Sequence, residues 1–219
     1  MPSITPTLDG RIAGKRLLDH TFYQRWTAGT LSRGELQEYA RQYYHYAAAF
    51  PTFLSAIHAQ SDDLEMRQYL LENLVEEERG ADNHPELWLR FCESLGLDRG
   101  DVINGAANDA TRALVGRMRT LARSGRAHEG LAALYAYESQ IPGVAAAKID
   151  GLARWYGIEA ERDIAFFSVH QTADVLHSAT SRDLLERLCD DDAKSAEALA
   201  ATEQTLDALY GFLDAVTVN

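Results

Sequence analysis

The chain has 219 residues, with 21 lysines and arginines against 33 aspartates and glutamates, a formal net charge of −12. That balance repels phosphate backbones and anionic lipid, so nucleic-acid and membrane-surface roles are disfavoured. No uncharged apolar stretch approaches the roughly 20 residues that span a bilayer. The N-terminal MPSITPTLDGRIAG carries no long apolar run either, so a soluble, cytoplasmic protein is expected. The length suits one domain, residues 1–219, with a sizeable core. Two cysteines, Cys92 and Cys189, lie within apolar helical patterns, where a buried inert thiol is commoner than a nucleophile or a disulfide.

Helical periodicity runs almost throughout, with no alternating run of β-branched residues that would make a strand. A first helix is expected from about Asp9 to Thr27. Ser32 and Glu35 form a capping-box pattern that opens a second, LSRGELQEYARQYYHYAAAF, which Pro51 should kink or break. A third runs from about Asp62 to a stop at Gly96, with Pro85 as an internal kink. After the turn-rich LGLDRGDVINGAAND comes a helix ending near Gly125, then a long one from about His128 to Tyr156, interrupted at Pro142 and Gly143. A sixth spans about Glu159 to Ser178, extending toward Leu188. The acidic run Asp190, Asp191, Asp192 precedes a last helix ending near Val216. The expectation is an all-α, single-domain bundle of about seven helices.

Two stretches on this scaffold set carboxylates and imidazoles on single helical faces. A helix turns about 100° per residue, so His84 falls about 20° short of two full turns from Glu77, while Glu76 and Glu78 point elsewhere. His170, Asp174 and His177 follow i, i+4, i+7 inside the otherwise apolar IAFFSVHQTADVLHSA. Burying such groups unpaired is expensive, which points to a metal or a closed polar network. Glu138, in the aromatic LYAYESQIPG, adds a third carboxylate. Three carboxylates and three imidazoles are a set that holds two divalent ions in a bundle, although the spacings depart from Glu-x-x-His. Nitrogen and oxygen ligands suit iron and manganese alike. His20, His45, His58 and His128 read as ordinary core or surface histidines satisfied by nearby acids.

The ordered set Glu77, His84, Glu138, His170, Asp174, His177 resembles the metal-binding pattern of the haem-oxygenase-like dimetal oxidases, the superfamily that includes TenA- and PqqC-like proteins. Within it the chain is most similar to the CADD-like self-sacrificing p-aminobenzoate synthases. The similarity covers nearly the whole chain, including HTFYQRW, EEERGADNH and YESQIPGVAAAKIDGL. It implies a haem-oxygenase-like fold and two transition-metal ions, Fe/Fe or Mn/Fe. Dioxygen and an external reductant, supplied by an electron donor, would be co-substrates, and the product would be p-aminobenzoate for folate biosynthesis. It also implies that Tyr23 supplies the aromatic ring and Lys148 the amino group. Tyr39, Trp88 and Tyr137 match aromatic residues around that family's site, and Phe166 stands where a further tyrosine can occur. A homodimer is expected. From the residues alone, Lys148 reads as solvated or salt-bridged and Tyr23 as a core-edge tyrosine.

Two other readings compete. One is a dimetal oxidase of an external amino acid or fatty acid, with Tyr23 and Lys148 lining a pocket. The other is a non-enzymatic helical binding protein with a structural polar network. A thiamin-salvage hydrolase fits less well, because neither cysteine falls in the YESQIPG region where its nucleophile is expected.

Overall fold

The computed structural model describes residues 3–217, the side chains of 172–176 excepted. The described residues form eleven α-helices and no strand. In chain order they are α1 (Thr5–Ala13), α2 (Thr21–Ala28), α3 (Arg33–Gln60), α4 (Leu64–Glu78), α5 (His84–Ser94) and α6 (Arg99–Asn104). There follow α7 (Asp109–Ala122), α8 (Ala127–Glu138), α9 (Ile141–Gly151), α10 (Glu161–Leu188) and α11 (Asp192–Val216). A 3₁₀ turn, Leu17–Asp19, precedes α2, and a π turn, Leu152–Tyr156, follows α9.

The count exceeds the expected seven because three long helices are divided. The first is broken after Gly14, and His20 then caps α2 by accepting the Phe22 N–H on its ring. In the third, Pro85 starts a helix rather than kinking one: it lies in the first turn of α5, where its missing N–H is no loss. Asn83 caps that helix, and Gly80, at φ 83°, turns the chain between α4 and α5. In the third case Pro142 likewise opens α9 after α8 has ended. The remaining addition is α6, one short helix inside the turn-rich segment, capped by Asp98. Pro51 does not end its helix. α3, 28 residues long, continues through it to Gln60, because Phe50, Phe53, Leu54 and Ile57 on either side are all buried, and packing outweighs the lost hydrogen bond.

α8 forms the centre, buried on every face from Leu131 to Glu138, and packs against α7, α10 and α11. Gly130 admits it to α3: a Cβ there would lie 2.7 Å from the Ile57 side chain. α3 carries a buried aromatic and aliphatic stripe and packs on α4, α5, α7 and α8. α10 crosses α5, α8 and α9. The carboxylates and imidazoles singled out from the sequence therefore lie on α4, α5, α8 and α10, and Tyr23 and Lys148 on α2 and α9.

Candidate metal centre

Glu77 lies in the last turn of α4 and His84 opens α5. Their meeting depends on the loop between them rather than on a shared helical phase. Asn83 accepts the Glu86 N–H at 3.0 Å and donates to the Gly80 carbonyl at 2.8 Å, and Arg90 reaches back to Ala81 and Asp82. The result places His84 Nδ1 2.8 Å from a Glu77 carboxylate oxygen, both side chains buried. Yet that nitrogen has no aligned hydrogen-bond partner among the described residues. Close approach without alignment is how two lone-pair donors sit when they share a cation.

On α10, His170 shares its Nδ1 proton with the Phe166 carbonyl at 2.6 Å. Assigned that way, the ring carries its lone pair on Nε2. Its ring centroid lies 4.5 Å from that of His84. One ligand atom from each of Glu77, His84 and His170 falls within 4.8 Å of the others, and all three residues are buried. Glu138 lines the same small cavity as Glu77 and His170, of about 10 Å³, together with Tyr43, Tyr46 and Tyr137. Asn73, one turn before Glu77 on α4, donates to the Glu138 carboxylate at 3.1 Å and orients it.

The remaining two expected ligands stand differently. Asp174 lies on α10, but its side chain is outside the described residues. His177 is buried, with Nε2 3.3 Å from Glu76, the glutamate that helical phase set aside. Three of the six expected ligands, Glu77, Glu138 and His170, thus line one cavity, and His84 meets Glu77 and His170 beside it. Two carboxylates and two imidazoles, without a thiol, fit iron or manganese by donor chemistry.

The second half of the site is built around Lys148, which is only 3% exposed. Its ammonium nitrogen donates to the Tyr39 hydroxyl at 2.6 Å, and the Tyr23 and Tyr39 phenols lie near enough to influence each other's ionisation. Rings of Tyr23, Trp26, Tyr39, Tyr43, Trp88 and Phe167 surround the amine at 5.0–5.9 Å. No carboxylate among the described residues pairs with it, and burial lowers its pKa to about 7. Burial also pushes the Tyr23 phenol well above its ordinary value.

Packed rings join the two halves. Tyr39 lies 5.5 Å from Tyr43, Tyr43 4.3 Å from Trp88, Trp88 4.8 Å from Phe166, and Phe166 4.4 Å from His170. A second branch runs through the hydroxyl pair Tyr43 and Tyr137 into the cavity. Tyr43 and Asn73 were not singled out from the sequence. The signal for Tyr43 was present, since Tyr39, Tyr43, Tyr46 and Phe50 recur at helical spacing on one buried face. Asn73 had only its offset of four from Glu77.

Residues 37–210 match a haem-oxygenase-like family described as iron-containing redox enzymes. The chain belongs to that family. It is 43% identical over 97% of its length to a 4-aminobenzoate synthase of Nitrosomonas europaea, covering 90% of that protein. It is 42% identical over 94% of its length to the 4-aminobenzoate synthase of Chlamydia trachomatis, covering 89% of that one. Among solved structures, a TenA homologue from Pseudomonas syringae superposes with a TM-score of 0.84 at 17% identity, over 98% of this chain and 93% of the other. That likeness establishes the haem-oxygenase-like fold. The thiols stay apart from this chemistry: both are buried, and burial pushes Cys92 up to about 12 and Cys189 up to about 11.

Proposed function

We propose that this chain is an oxygen-dependent dimetal oxygenase that forms p-aminobenzoate, a folate precursor, from its own residues. Tyr23 supplies the ring and Lys148 the amino nitrogen, so each chain acts productively once. The observation that carries this reading is the placement of Lys148: a buried, readily neutralised amine, hydrogen-bonded to the Tyr39 hydroxyl, lies 5.5 Å from the centre of the Tyr23 ring. The relatives named 4-aminobenzoate synthase support it.

Glu77, His84, Glu138 and His170, with Asp174 and His177, would hold two ions, Fe/Fe or Mn/Fe. Bound there, the ions would activate dioxygen with electrons from an external reductant. The protein's own groups do the rest. The aromatic cage excludes water from Lys148 and keeps its amine available as a nucleophile. Tyr39, hydrogen-bonded to Lys148, holds the amine beside the Tyr23 ring. Tyr43, Trp88 and Tyr137 provide oxidisable rings between that pair and the carboxylates, whereas Phe166 is the least readily oxidised link. Residues 1–219 act in this proposal as one domain.

Peptide mass analysis after metal loading and exposure to oxygen with reductant tests the reading. Tyr23 should be consumed and Lys148 altered in the same chain. Isotope in protein tyrosine should appear in the product ring, and isotope in the lysine side-chain nitrogen in its amino group. Tyr23→Phe and Lys148→Arg should each stop production with metal content retained, because a guanidinium cannot donate the amine. Many turnovers with Tyr23 intact would instead establish an oxidase of an external substrate.

A further inference from the structure

Tyr46 is enclosed on α3, with 1% of its surface exposed. Its ring packs at 5.2 Å on Tyr137, 5.6 Å on Tyr43 and 5.9 Å on Phe50. Its hydroxyl has no hydrogen-bond partner among the described residues, although it lines the cavity shared by Glu77, Glu138 and His170. A buried hydroxyl left without a partner costs about 1–3 kcal/mol, and phenylalanine would give the same packing without that cost. The hydroxyl is therefore suited to something that enters the cavity. At about 10 Å³, the cavity is near the minimum that holds a single water, which restricts what reaches the hydroxyl to about one heavy atom, such as the end of a small linear anion. A tyrosine phenol keeps its proton at neutral pH, so it can meet that occupant as an O–H donor.

We propose that Tyr46 donates a hydrogen bond to a small anion seated in this cavity against the metal ions, fixing the anion's orientation between Glu77 and Glu138. The inference rests on the dimetal reading of the site and adds to it a donor that is not itself a ligand. That donor gives the cavity a preference for anions that accept hydrogen bonds over neutral molecules of equal size.

The test compares the full chain with Tyr46→Phe, each loaded with ferrous iron without oxygen, assayed for iron content and titrated with sodium azide by calorimetry. Iron content should be equal, and azide affinity roughly tenfold weaker in Tyr46→Phe, the loss of one hydrogen bond to an anion. Metal-free Tyr46→Phe should melt at the same temperature as the metal-free parent or above it. Equal azide affinity at equal iron content would overturn the proposal while leaving the metal site standing, as would a clear drop in the metal-free melting temperature, since the hydroxyl would then be structurally engaged. A parent chain that binds no iron would remove the dimetal reading, and this inference with it.

Discussion

Lys148 shows how much a residue's chemistry depends on what packs around it. In sequence it is one lysine in the small-residue run GVAAAKIDG, and nothing local separates it from a solvated side chain. The rings that enclose it come from α2, α3, α5 and α10, so its burial is a tertiary fact that only resemblance to known proteins anticipated. The burial has a thermodynamic sign. Lowered from 10.5 to about 7, the amine is neutral in the folded chain between those values, while the unfolded chain still binds a proton there. Stability therefore rises with pH across that window, and the penalty, on the order of 5 kcal/mol, is complete below about pH 7. Lys148→Met should accordingly raise the melting temperature, with a gain at pH 6 that shrinks by about half at pH 9. A gain independent of pH in thermal melts would show that the amine is not held at low pKa. The same titration predicts that Tyr23 consumption in single-turnover experiments accelerates as pH rises through about 7.

The helices themselves were largely readable from periodicity, but their joints were not, and the joints position the site. The i, i+7 spacing of Glu77 and His84 suggested one continuous face. The two residues do meet, although by a different cause: α4 ends, Gly80 turns the chain, and Asn83 starts α5 with His84 as its first residue. Pro85 carried that information, since proline in a first turn and proline as an interior kink look alike until the cap before it is weighed. Asn83→Ala should remove the cap, costing about 1 kcal/mol and lowering the melting temperature by roughly 2–4 °C. Because His84 hangs from that cap, iron affinity should fall as well; an unchanged affinity in metal titration would show that His84 does not depend on the turn. On α3, Tyr43→Phe deletes the hydroxyl pair with Tyr137 while sparing the ring stacking on Trp88. Slower Tyr23 consumption at unchanged metal content is expected if the hydroxyl branch carries oxidation outward. An unchanged rate would assign that role to Trp88 and Phe166.

Across the whole molecule, the described candidate ligands Glu77, His84, Glu138 and His170 come from α4, α5, α8 and α10, so ion binding would tie together segments far apart in the chain. α10 packs against the other three, and α8, buried on nearly all sides, brings Glu138 into the middle of them. Without an ion, two carboxylates and two imidazoles share a buried space in which like charges repel. Metal loading should thus stabilise the fold beyond its local contacts. At free metal 100-fold above the dissociation constant the linkage is about 2.7 kcal/mol, which for a chain of this size corresponds to a rise of roughly 5–10 °C in melting temperature. Hydrogen exchange should slow in the turn between α4 and α5 and along α10, the segments that present His84 and His170, and change little in α1 and α7. Glu138→Ala should lose most of the thermal gain, because removing the central carboxylate leaves the ions held from one side. If loading shifts neither the melting temperature nor exchange in these segments, the ions sit elsewhere and the carboxylate and imidazole cluster is a structural polar network, as the binding-protein reading requires.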